Sequence, residues 1–146
     1  MIEGVITEPL LQFPDDRGRV MRMLRADSPG FEGFGEIYFS TVNPGKVKAW
    51  KRHIRMTQRF AVPVGRIRLV LHDARPGSAT IGETAVMETG ESDYRLVRIP
   101  PLLWYGFMGI SGGPALIANC TDMPHSPDET ERMGIDNGII RYDWDN

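Results

Sequence analysis

Apolar and polar residues alternate with a period of two along most of this 146-residue chain. The clearest case follows Gly65, where Ile67, Leu69 and Leu71 alternate with Arg66, Arg68, Val70 and His72. That pattern predicts a strand with one face on a core. GEIYFSTV repeats it, with Ile37 and Phe39 set against Glu36, Tyr38 and Ser40. Further strands are expected at KAWKRHI, RFAVPV, TAVMETG, YRLVRIP and ALIANCT, and VITEPLLQF and RVMRMLRA flank a turn over Pro14–Gly18. Turn-forming residues recur about every eight to twelve positions, a spacing that suits a sandwich or barrel. One stretch departs from this. Ser126 can cap, Pro127 suits a first helical position and Glu129 completes a capping box, which predicts one or two turns of helix over 126–133.

Composition narrows the class. Hydrophobic content of 41% and charged content of 25% are those of an ordinary globular chain, and 146 residues amount to one domain, 1–146, able to bury a core. A net charge of −2 argues against general nucleic-acid binding. No apolar run reaches membrane-span length, and MIEGVITEPL does not read as a signal peptide. Cys120 is the single cysteine, so no internal disulfide forms, and a reducing cytoplasm is the expected location.

The cations concentrate in Gly45–Gly65, where Lys48, Lys51, Arg52, His53, Arg55 and Arg59 are interleaved with Trp50, Ile54, Met56 and Phe60. A local anionic ligand fits that distribution. Lys51, His53, Gln58 and Gly65 also fall at the spacing of G-x5-H-x-H-x4-E-x6-G, with Tyr105 near the second element. In spacing the chain therefore resembles a metal-binding cupin. A set with one imidazole and an ammonium is not a transition-metal site, so a cupin barrel without metal or other cofactor is expected.

A second set of motifs is more specific. Asp15-Asp16-Arg17-Gly18 is followed by GKVKAWK at 45–51, then by Asp73-Ala74-Arg75-Pro76-Gly77-Ser78-Ala79-Thr80-Ile81-Gly82. Ile99-Pro100-Pro101, Cys120-Thr121-Asp122, Ser126-Pro127-Asp128-Glu129 and Tyr142-Asp143-Trp144 complete the order. In order and spacing these fragments resemble the RmlC-like cupins, the dTDP-4-dehydrorhamnose 3,5-epimerase and dTDP-sugar isomerase family. The resemblance implies an all-β double-stranded β-helix, or jelly-roll barrel, with a short C-terminal helix. It also implies a homodimer and a nucleotide-diphosphate sugar as partner.

The implied activity is epimerisation or ketoisomerisation of a 4-keto-6-deoxy sugar by proton abstraction beside the ketone. The family's catalytic histidine falls on Lys51, its tyrosine acid on Ala118, its phosphate-contacting arginine on Lys48 and its next-strand lysine on Gln58. Lys51 and His53 share strand parity, while Trp50 and Arg52 share the other face. His53 with an unshifted pKa is an expected base. Lys51 is expected either to stabilise the enolate as a cation or to act as base itself if burial and neighbouring cations lower its pKa. Tyr105 is the expected proton donor in place of the tyrosine missing at Ala118. Arg17, Tyr38, Lys48, Gln58 and His125 are the expected substrate contacts, with Arg17 reaching the diphosphate across a dimer. Asp73 and Arg75 read as a structural turn. A catalytically silent cupin that binds a sugar nucleotide or similar anion is the alternative, because two catalytic positions of the family are changed.

Overall fold

The computed structural model describes residues 1–146. Its strands are β1 (Ile6–Pro9), β2 (Gln12–Asp15), β3 (Gly18–Met21), β4 (Glu36–Val42), β5 (Val47–His53), β6 (Gln58–Val64), β7 (Arg66–His72), β8 (Thr84–Gly90), β9 (Arg95–Ile99), β10 (Trp104–Gly109), β11 (Ala115–Thr121) and β12 (Thr130–Arg132). Ten of them build two five-stranded sheets, ordered β1-β9-β6-β11-β4 and β12-β5-β10-β7-β8, while β2 and β3 form a separate hairpin. From β4 to β7 each strand crosses to the other sheet, which gives the jelly-roll path of a double-stranded β-helix.

The period of two dictates this sandwich. Ile67, Leu69 and Leu71 are fully buried between the sheets, against Val62, Val97, Ile99 and Ile117. Each such side chain contributes about 1.5–3 kcal/mol when buried, so no strand can slip by one residue without exposing its stripe. Val70, of the opposite parity on β7, joins Trp50, Trp104, Ile140 and Trp144 in a second cluster. There the segment after β12 brings Trp144 5.4 Å from Trp50 and 4.8 Å from Tyr142, ring centre to ring centre. Beyond β7, the fully buried Asp73 carboxylate accepts hydrogen bonds from Arg75, Ser78 and Thr80. Arg75 above all holds its pKa far below the usual range, and the group fixes the β7–β8 turn.

Three elements differ from the sequence expectation. In β4 the alternation is kept but its sense is reversed: Ile37 and Phe39 face outward and are exposed, while Tyr38 and Ser40 turn inward between the sheets. β10 carries no alternation, because both of its faces are covered: Trp104 is buried in the second cluster, and Tyr105 and Phe107 in the main core. The helix expected over 126–133 is replaced by a single 3₁₀ turn, Pro127–Glu129, followed at once by β12. Ser126 caps nothing with its hydroxyl. Glu129, 1% exposed, turns its carboxylate instead to the backbone N–H groups of Arg55 and Met56. With its cap diverted, the chain pairs with β5, Thr130 opposite His53 and Arg132 opposite Lys51.

Candidate active site

The site begins with an irregularity in β5. Tyr105 pairs with Lys51 and Phe107 with Lys48, so two steps along β10 match three along β5. One extra residue in a ladder is a bulge, and it resets the alternation of side chains. Lys48 and Lys51, three apart, therefore line the same cavity. Gly106 permits the bulge, since a Cβ there would fall 2.5 Å from Ala49 Cβ.

That cavity, about 320 Å³, lies between the two sheets. Phe60, Phe107 and Ile117 give it an apolar floor, Tyr38 and Asn119 face it from the first sheet, and no carboxylate lines it. Its charged groups are Lys48, Lys51 and Arg132. Arg132 arrives from β12 as the cross-strand partner of Lys51. Burial, then Arg132 and Lys48, push the Lys51 pKa down from the ordinary lysine value. Lys48 Nζ donates to Ser40 Oγ at 3.1 Å.

Behind this wall runs a directed chain of hydrogen bonds. Asn119 Oδ1 accepts from the Arg59 N–H, which fixes its amide and leaves Nδ2 to donate to Gln58 Oε1 (2.9 Å) and Tyr38 Oη (2.8 Å). Gln58 Oε1 is thus an acceptor, and the Tyr105 hydroxyl donates to it at 3.1 Å. With that hydrogen committed, His53 Nε2, 3.4 Å from Tyr105 Oη, is the donor of their contact. His53 Nδ1 then accepts from the Thr130 hydroxyl at 3.3 Å. The histidine is neutral: burial first, then the Lys51 charge, push its pKa down to about 4. Tyr105, deeply buried, is pushed far above the usual phenol range.

Lys51, Tyr105, Tyr38 and Lys48 are brought together in the cavity wall. His53 and Gln58, at 3% and 1% exposure, are in the network but not in the lining, and the pKa of His53 is not unshifted as the sequence suggests. Tyr105 lines the cavity, yet its proton is engaged with Gln58. Ala118 is not in the wall; its neighbours on β11, Ile117 and Asn119, are. Arg17 stands at the tip of the β2–β3 hairpin, its side chain 86% exposed and paired with Asp15, away from its own chain's cavity. His125 is on an exposed loop, its N–H donating to Glu36. Arg132 and Asn119 were not anticipated. The four positions of the metal-type signature do meet around Tyr105, but no cluster of three or more His, Cys, Asp or Glu side chains is placed to hold a metal.

A jelly-roll barrel with lysine, glutamine and tyrosine at the ligand positions of its metal-binding counterparts is a cupin of the RmlC-like class. No protein-family model matches the chain. It is 52% identical to the solved dTDP sugar isomerase of Desulfovibrio desulfuricans G20, with a TM-score of 0.96 over 99% of this chain and 92% of that one. It is 36% identical to the probable low-salt glycan biosynthesis epimerase Agl13 of Haloferax volcanii, over 89% of this chain and 86% of the relative. The spore coat polysaccharide biosynthesis protein SpsL of Bacillus subtilis is 33% identical over 99% of this chain and 97% of its own length. The chain belongs to the RmlC-like family of dTDP-sugar epimerases and isomerases.

Proposed function

We propose that the protein is a metal-independent epimerase or ketoisomerase of a dTDP-linked 4-keto-6-deoxy sugar, in the biosynthesis of a surface glycan. One observation carries the reading: a cavity with three cations and no carboxylate, in which one lysine has a lowered pKa. The ketone acidifies the hydrogens on the carbons beside it. Lys51 in its neutral form takes one of them, and the electron pair moves onto the ketone oxygen. Lys48 and Arg132 offset the enolate charge in a site where water is displaced, so their effect exceeds that in bulk solvent. His53, Gln58 and Tyr105 hold the wall in register, Tyr38 meets the sugar, and His125 closes the rim.

Arg17 serves the diphosphate of a neighbouring protomer, its planar fork matching phosphate oxygens. The supporting features are an open edge at β4, with Ile37 51% and Phe39 66% exposed, and a hairpin with Phe13 49% and Val20 64% exposed. Exposed apolar strand edges of this kind call for cover, here by a second copy in a cytoplasmic homodimer. No helix is long and apolar enough to cross a membrane.

Incubation with dTDP-4-keto-6-deoxyglucose in deuterated water tests the reaction. Proton NMR should show enzyme-dependent loss of the hydrogen at C3 or C5. Tight binding with no exchange would instead establish the silent-binder alternative.

A further inference from the structure

We infer that Tyr38 is the proton donor of this site, delivering its phenolic hydrogen to the sugar face opposite the one that Lys51 deprotonates. The inference rests on the epimerase reading above. Two phenols line the cavity, Tyr38 and Tyr105. Tyr105 spends its only hydrogen on Gln58 Oε1, and the oxygen receives His53 Nε2–H. Tyr38 is the reverse case. Its oxygen accepts from Asn119 Nδ2 at 2.8 Å, and its own hydrogen is donated to no protein group. A phenol whose oxygen is held and whose hydrogen is free points that hydrogen at whatever fills the cavity.

Placement supports this assignment. Tyr38 is on β4 in the first sheet, and Lys51 is on β5 in the second. A ring between the sheets shows one face to the amine and the other to the phenol. Lys48 is excluded as this donor because it projects from the same strand as Lys51. The amide of Asn119 is no acid, and both of its hydrogens are engaged.

The step balances without redox change. Neutral Lys51 Nζ takes the hydrogen beside the ketone and becomes ammonium, and the C–H electron pair moves into the enolate. The enolate pair then forms a new C–H bond on the opposite face with the Tyr38 hydrogen, regenerating the ketone with inverted configuration. The Tyr38 phenolate keeps the Asn119 hydrogen bond, and water returns its proton while removing one from Lys51. Burial raises the Tyr38 pKa, against the lowering effect of Asn119, so the acid form is the one present at neutral pH.

The test separates two rates on dTDP-4-keto-6-deoxyglucose in deuterated water: washout of the ring hydrogen, which needs only the base, and formation of epimer, which needs the donor. Tyr38→Phe should keep washout within a few-fold of wild type and lose epimer formation by about a hundredfold or more, the usual worth of a positioned acid. Tyr105→Phe should lose less than tenfold in either, and Lys51→Met should lose both. Tyr38→Phe that forms epimer at the wild-type rate, or Tyr105→Phe as the variant that uncouples the two rates, overturns the inference. Should the Phe variant fold poorly, fluorotyrosine at position 38 must move the alkaline limb of epimer formation to lower pH and leave that of washout in place; an unmoved limb overturns it equally. Wild-type protein that shows neither rate overturns the epimerase reading itself, so the two failures are distinct.

Discussion

Lys51 and Arg132 sit directly opposite each other across the β5–β12 ladder, two cations paired where a structural sheet would place opposite charges. Like charges in that position destabilise, so the pairing is a cost borne for another reason. Its effect is to favour the uncharged form of Lys51, together with burial and Lys48.

Exchange activity should therefore rise with pH as Lys51 loses its proton, with a limb below the ordinary lysine value of about 10.4. Arg132→Gln removes one of the charges that lower the Lys51 pKa. The pKa then rises, so the limb should move to higher pH, and the plateau rate should fall as well because Arg132 also offsets the enolate charge. A pH–rate profile for hydrogen washout in the two proteins checks this; coincident limbs would count against Lys51 as the base.

His53 makes a prediction about stability. Its pKa is about 4 in the folded protein, below the ordinary 6.5, so between those values the unfolded chain binds more protons. The contribution of the neutral ring is complete above pH 6.5 and is lost as pH falls toward 4. The slope from this one group reaches at most about 1.4 kcal/mol per pH unit. His53→Gln should flatten the difference in urea midpoints between pH 7 and pH 5. Parallel pH curves for the two proteins would show that His53 is not the group being titrated.

The sequence displayed some of this and hid the rest, for identifiable reasons. β7 was readable because one of its faces meets the main core, which stamps alternation on Ile67, Leu69 and Leu71. β10 was not, since Trp104, Tyr105 and Phe107 are all buried and a strand covered on both faces has no period of two. Parity placed Lys51 and His53 on one face, but Lys48 joins Lys51 only through a bulge that exists in the pairing with β10. Arg132 lay inside a segment whose local signals all spoke for helix. Those signals lost to the backbone amides of Arg55 and Met56, which take the Glu129 carboxylate that a capping box would have used.

Glu129 can be tested on that account. Burial opposes its ionisation, yet the two amides and Arg55 hold its pKa below the ordinary carboxylate value. Glu129→Ala strands two N–H groups next to a buried segment and should cost about 2–3 kcal/mol in urea unfolding. Because the same turn delivers β12, exchange activity should fall as well. A variant with wild-type stability would mean that water replaces the carboxylate at no cost.

The Arg17 proposal predicts complementation. Arg17→Ala should weaken sugar-nucleotide affinity by about tenfold or more, the worth of a charge-assisted pair. Mixed by joint refolding with Lys51→Ala, it should recover roughly a quarter of wild-type activity, since half the dimers are mixed and one site in each is whole. No recovery, or a monomer near 16.4 kDa in sedimentation, would defeat the shared-site arrangement.

The strand order also sets a timetable for synthesis. β1 waits for β9, β4 for β11, β6 for β9 and β11, and β5 for β10 and β12. A nascent chain thus carries its lysine-bearing strand off the ribosome with no partner to pair with, and only the hairpins β2–β3 and β7–β8 can close early. Stalled chains that stop before Trp104 should be cut by protease throughout β4–β6. The cavity between the sheets is therefore assembled only once β10, β11 and β12, all late in chain order, have joined the strands that wait for them.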